Sequence, residues 1–223
     1  MKLKSTQKPK PTFDKRRALA LKRGEGKESY QKRRREIARA ATEVFNKKGF
    51  RGTSLGAVAD ALGMSRAALY YYIANKRELF DELVREAIER NVASAEAIRT
   101  SDASTVEKIR NMMIDLMRSC GTNYPLFYIF IRENLSHVEE QRSEWSREVR
   151  ELNRRYVEIL VALIQDGIDD GTVRSIASPR TMAYGILGMI GWTSRWFNPH
   201  TSLESAERIG IAFADMVLAG IGA

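Results

Sequence analysis

Apolar positions along this chain recur at steps of three and four, and strict two-residue alternation persists nowhere, so the pattern predicts an all-α protein of about nine helices. The first amphipathic stretch begins at Lys32 and places Ile37, Ala41, Val44 and Phe45 on one face, with Gly49 as its stop. Thr53-Ser54 offers an N-cap to a second helix carrying Leu55, Val58, Ala59 and Leu62 over two turns before Gly63. After the break Gly63-Met64-Ser65, Ser65 can cap a short third helix, 66–73, whose inward residues are Leu69 with Tyr72 or Ile73. Asn75, with Glu78 three residues on, then opens a long helix to about residue 98. Its stripe of Leu79, Phe80, Leu83, Val84, Ala87 and Ile88 is wide enough for two neighbours.

The remainder continues in helices. Ser104-Thr105-Val106-Glu107 is a capping box ahead of Ile109, Met112, Met113, Leu116 and Met117. Pro125 starts a short aromatic helix, and a long one is expected over about 138–170, stopped at Asp170-Gly171. Ser178-Pro179 opens a helix to about 197 and Asn198-Pro199 closes it. The last helix is expected over about 203–218. The 179–197 helix carries Gly185, Gly188 and Gly191 at steps of three on one side. Each interior glycine costs about 1 kcal/mol relative to alanine, so three of them ask for the close approach of another helix or a ligand.

Composition narrows the class. The chain has 223 residues, 43% hydrophobic and 29% charged, which suits a soluble globular protein of one large or two small domains. Its one cysteine, Cys120, excludes an internal disulfide and reads as a buried, inert thiol. No apolar run approaches the roughly 18 residues of a membrane span, and the charged N-terminus lacks a signal-peptide core, so a cytoplasmic location is expected with no membrane partner. The net charge of +9 is unevenly spread: residues 1–35 carry +11, residues 36–80 carry +3 and residues 81–223 carry −5. A polyanion-binding face therefore belongs to the N-terminal third. Residues 1–30 read as a disordered basic arm that either solubilises the chain or adds phosphate or minor-groove contacts.

Two short helices joined by a glycine-containing turn, behind a helix that supplies the core, describe a helix-turn-helix DNA reader over 31–78. The outward face of its second short helix suits DNA. Arg66 can grip guanine or a phosphate, Ala67 is small enough for close approach, and Tyr70 and Tyr71 offer hydroxyl donors. Lys76 stands at the positive end of the following helix. The run from Thr53-Ser54 through Leu62-Gly63-Met64-Ser65-Arg66-Ala67-Ala68-Leu69-Tyr70-Tyr71-Tyr72-Ile73 to Asn75-Lys76-Arg77-Glu78-Leu79 closely resembles the DNA-binding domain of the TetR family of bacterial transcription regulators. Members usually read Leu-Tyr-Tyr-His-Phe where this chain has Leu69 to Ile73. The resemblance implies that Thr53, Ser65, Arg66, Ala67, Tyr70, Tyr71 and Lys76 touch double-stranded DNA. It further implies that residues 79–223 bind an effector and dimerise, the last two long helices packing against a second copy.

On that basis Met182, Ile186, Met189, Ile209, Phe213 and Val217 are assigned to core and dimer contacts, and a palindromic operator is expected, because a two-fold dimer presents two reading helices about one DNA turn apart. Met113, Met117, Phe127, Trp145, Trp192, Arg195 and Trp196 are the candidates for an effector site, since methionine suits adaptable apolar pockets and an arginine beside indoles suits a phosphate or an adenine. The segment Gly191 to Pro199 is similar to the corresponding part of TetR-like regulators of fatty-acid, steroid and aromatic-acid breakdown, some of which sense acyl-CoA thioesters. The expected function is a repressor released by an acyl-CoA or a hydrophobic or aromatic acid. The competing reading is a constitutive DNA-binding protein without an effector. An enzyme is disfavoured: His137 and His200 are the only histidines and lack partners at metal-ligand spacing, and neither a phosphate-binding glycine loop nor a nucleophile elbow is present. No cofactor or metal is expected.

Overall fold

The computed structural model describes residues 27–134 and 144–222. They form α1 (Lys27–Gly52), α2 (Leu55–Ala61), α3 (Arg66–Tyr72), α4 (Lys76–Arg99), α5 (Thr105–Thr122), α6 (Leu126–Asn134), α7 (Glu144–Asp169), α8 (Pro179–Trp192) with a 3-10 turn at Thr193–Arg195, and α9 (Ala206–Ile221). Among the described residues, extended pairing is limited to a single bridge between Val173 and Gly222. The protein is all-α. It divides into two compact units between Leu83 and Val84, inside α4 and later than the boundary expected after Glu78.

In the first unit, α1 begins at Lys27, not at Lys32. Tyr30, assigned to the basic arm on composition, is 1% exposed. Its ring lies 5.1 Å from that of Tyr72 and 6.1 Å from that of Tyr71, so burial of one aromatic extends the helix backwards. Residues 1–26 of the expected arm lie outside the described residues. At Gly49 the backbone turns to φ 68°, a left-handed conformation that costs glycine little, and α1 kinks there before ending at Gly52. Ser54 caps α2 and Ser65 caps α3, each hydroxyl accepting a backbone N–H at 3.1 Å, from Ala57 and Ala68. Asn75 Oδ1 accepts from the Glu78 N–H at 2.8 Å while Glu78 Oε2 accepts from the Ala74 N–H at 3.0 Å, fixing the start of α4. Ile37, Ala41, Phe45, Val58, Leu69, Ile73, Leu79 and Phe80 form the buried core. Burial of each large side chain contributes about 1.5–3 kcal/mol as an upper bound, which is what holds two helices of seven residues in place.

The second unit buries one face of each long helix. Ile109, Met112, Met113 and Met117 of α5 meet Leu160, Leu163 and Ile164 of α7, Ala183, Ile186 and Ile190 of α8, and Ile209 and Ala214 of α9. The helices α5 and α9 approach closely at Gly210, where a Cβ would stand 3.0 Å from the Ile114 Cα and 3.1 Å from the Met117 Cβ. Pairs Arg110–Asp215 and Arg118–Glu207 (2.6 Å) flank that seam, but both are exposed and contribute little to stability. Helix α9 spans 206–221 instead of 203–218 because Ser205 is its cap, accepting from the Arg208 N–H at 3.2 Å, and Leu203 is left fully exposed. His137 and the first residues of the helix expected from 138 lie outside the described residues, as do the side chains of Arg132 and Trp145.

Candidate nucleic-acid interface and effector cavity

An α-helix is about 10–12 Å across with its side chains, which matches a major groove about 12 Å wide, so α3 has the cross-section to lie in one. Its sequence sorts cleanly by face. Leu69 is fully buried and anchors the helix, while Ser65, Arg66, Ala67, Ala68 and Tyr70 are exposed. The Arg66 guanidinium lies over the first turn of α2 at Gly56, where an added Cβ would stand 2.9 Å from its Nε. Glycine at that position gives the arginine room to lie back against the domain.

Three of the residues expected at the DNA are engaged within the unit. Thr53 is 3% exposed, and its hydroxyl donates to the Gly49 carbonyl at 2.7 Å, tying down the kink of α1. Of the Thr53-Ser54 pair, the residue nearer the helix caps it and the other is drawn inside, so Ser54 and not Thr53 faces outwards. Tyr71 is half-buried, its ring edge-on to Tyr72 at 5.0 Å and its hydroxyl oxygen enclosed. Lys76 donates to the Phe50 carbonyl at 2.7 Å and sits 4.5 Å above the Phe50 ring, so its charge meets the carbonyl end of α1. Arg34, within the strongly basic stretch of residues 1–35, is 4% exposed inside the unit.

Among the described residues, the expected effector side chains do not share one cavity. Met113 and Met117 are fully buried in the closed core of the second unit. Phe127 borders a space of about 30 Å³, room for a water molecule or so, together with Cys120, Tyr128 and Phe197. Trp192 and Trp196 are more than half exposed, and Arg195 stacks on the outside of Trp192 at 4.3 Å. A cavity of about 430 Å³, within the usual size of a small-molecule site, opens elsewhere in the unit. Ile88, Leu116, Val157 and Leu187 make its apolar wall, and Asn91, Asn153, Tyr156 and Tyr184 supply neutral polar groups. Burial, with a smaller contribution from the Asp115 charge, pushes the Tyr156 phenol well above its usual range, so it remains a neutral hydrogen-bond donor. Sequence periodicity carries no signal for this set, because its members come from four helices and share a space rather than a face. Burial alone pushes the Cys120 thiol up to about 11, which leaves it protonated and unreactive near neutrality.

The expected dimer residues divide as well. Met182, Ile186 and Ile209 are less than a tenth exposed in the protomer's own core, and Met189, Phe213 and Val217 are partly buried against it. On α8 the outward side is instead Tyr184, Gly185, Gly188, Gly191 and Trp192, and on α9 it includes Met216. No described atom comes within 4 Å of a Cβ built at any of those three glycines.

Residues 37–83 match the family model for "Bacterial regulatory proteins, tetR family", and residues 102–221 match "Tetracyclin repressor-like, C-terminal domain". The chain belongs to the TetR family. Members are DNA-binding transcription regulators rather than enzymes. The chain is similar to the HTH-type transcriptional repressor KstR2 of Mycobacterium tuberculosis, 25% identical over 190 residues that cover 85% of this chain and 92% of that protein. Among solved structures it is similar to the TetR family regulator PfmR from Thermus thermophilus, with a TM-score of 0.72, 30% identity and coverage of 82% of this chain and 97% of that one. The fold is shared with AibR, solved in complex with isovaleryl coenzyme A and operator DNA, at a TM-score of 0.63, 23% identity and coverage of 82% and 97%. No helix of the described residues is long and apolar enough to cross a membrane.

Proposed function

We propose that this TetR-family regulator is a homodimeric repressor that reads a palindromic operator through α3 and is released by a small-molecule effector. The observation that carries the DNA half is the division of α3, with Leu69 held in the core and Ser65, Arg66, Ala67 and Tyr70 outside. The effector half rests on the 430 Å³ cavity, whose largely apolar wall suits an acyl chain or an aromatic ring. The described residues that line the cavity are apolar or neutral, which suits the acyl group of an acyl-CoA. The complex of AibR with isovaleryl coenzyme A supports that ligand class by analogy of fold. Dimerisation rests on the open glycine side of α8, which asks for a partner helix.

The test is a thermal-shift screen of acyl-CoA thioesters and hydrophobic or aromatic acids, followed by operator release measured by fluorescence anisotropy. The proposal expects one ligand class to stabilise the protein and release DNA, because an effector must bind the two states with different affinity. DNA binding that no ligand of these classes alters would favour the constitutive reading. Arg66→Ala should weaken operator binding roughly tenfold or more, with the dimer and ligand binding intact.

A further inference from the structure

Arg34 stands in the most basic stretch of the chain, between Arg33 and Arg35, yet it is the member of that trio withdrawn from solvent. All three nitrogens of its guanidinium donate to two other helices. Nη1 donates to the Tyr72 carbonyl at 2.6 Å. Nε donates to Glu82 Oε1 at 3.2 Å, and Nη2 donates to Glu82 Oε2, a two-pronged pair. Tyr72 is the last residue of α3, where a helix leaves its carbonyls without internal partners. Glu82 belongs to α4 and is itself largely buried. One turn before Arg34, and on the same face of α1, Tyr30 packs on the Tyr72 ring. A ring and a guanidinium of α1 thus hold the C-terminal end of the seven-residue recognition helix against α4.

From this geometry we propose that Arg34 is a positioning residue for operator reading. It sets the angle of α3 through the Tyr72 carbonyl and takes its own orientation from Glu82, and it makes no contact with DNA. The proposal rests on α3 being the element that meets DNA. A planar guanidinium can satisfy a carboxylate and a carbonyl at once, whereas a lysine ammonium cannot reproduce the fork.

The charge of Glu82 makes the test sharp. Glu82→Gln removes a negative charge from a DNA-binding unit, so electrostatics alone would strengthen binding to any DNA. Positioning requires the opposite for the specific site. The probe is a duplex selected by the wild-type full-length protein from a random-sequence library, compared with an unselected duplex of equal length in an anisotropy salt titration. The expected result for Glu82→Gln is roughly tenfold weaker binding to the selected duplex, with unselected binding unchanged or tighter and the salt slope unaltered. Arg34→Lys should lose specific binding in the same way. Either variant carries the test if the other fails to fold by circular dichroism. Glu82→Gln binding the selected duplex as tightly as wild type would overturn the proposal. So would Arg34→Lys weakening both duplexes equally with a shallower salt slope, the mark of a lost phosphate contact. A wild-type protein that selects no sequence at all would instead overturn the reading of α3 itself, and this proposal with it.

Discussion

Replacing Gly185 and Gly188 with alanine gives opposite results according to whether the open side of α8 meets water or a second protomer. Both positions are exposed, and neither has a described atom within 4 Å of an added Cβ. In an isolated protomer each change therefore meets no steric resistance and gains about 1 kcal/mol of helix propensity, roughly 2 kcal/mol together. That corresponds to a rise in Tm of about 4–8 °C for a chain of this size. Where a partner helix packs closely on the glycines, each added methyl instead costs about 1–3 kcal/mol, and the two-fold axis presents every one of them twice. Four such methyls cost at least about 4 kcal/mol, and since about 1.4 kcal/mol is tenfold in an equilibrium constant, the dimer dissociation constant should rise about a thousandfold or more. Sedimentation velocity over a dilution series gives that constant, and unfolding followed at the same concentrations separates protomer from dimer stability, because a dimer's Tm depends on concentration. Gly210→Ala is the internal control: its Cβ would meet the Ile114 backbone at 3.0 Å, so it should lower Tm through protomer packing. A double variant with a higher Tm at every concentration and an unchanged dissociation constant would refute the assignment of this face to dimerisation.

Met113→Ala should cost about 2–5 kcal/mol in denaturant unfolding, the range for emptying a fully buried site, and should leave effector affinity unchanged, because Met113 does not border the 430 Å³ cavity. Glu107 is held below the usual carboxylate range by the side-chain and backbone groups of Ser104, and Asp170 by the hydroxyls of Thr172 and Thr105. With folded values below the unfolded ones, their contribution is fully present above the ordinary carboxylate pKa and is lost as pH falls through the folded values. Tm measured from about pH 6 to about pH 3 should decline, and less steeply in Ser104→Ala, which also loses about 1 kcal/mol of helix cap at neutral pH. Cys120 is partly buried with its thiol pushed up to about 11, so it should react slowly with iodoacetamide near neutral pH and much faster once the protein is unfolded; rapid alkylation of the native protein would contradict the desolvation of its thiol.

Much of this protein is legible from local sequence. Helix positions followed from the period of apolar residues, and their starts from Ser54, Ser65, Ser104 and Ser178, because a cap needs only one hydroxyl and the backbone within three residues of it. The exposed face of α3 was equally plain, since Leu69 is the one large aliphatic residue between Arg66 and Tyr72. What local pattern could not supply was the fate of side chains whose partners lie far along the chain. Thr53 and Ser54 are interchangeable as caps until the kink at Gly49 draws one of them inside. Arg34 sits between Arg33 and Arg35 in one basic run, and only the arrival of Tyr72 and Glu82, 38 and 48 residues later, makes it internal. On α8 the apolar residues were visible but not their division: Met182 and Ile186 turn inwards while Tyr184 and the glycines remain outside. The cavity was invisible for the same reason, being a gap among four helices. Sequence determined what is set within a turn or two of backbone, namely the helices, their caps and the family. Tertiary structure decided which charges are withdrawn from solvent, which side of α8 stays open and where a cavity forms, because those depend on desolvation and distance between groups the chain brings together only on folding.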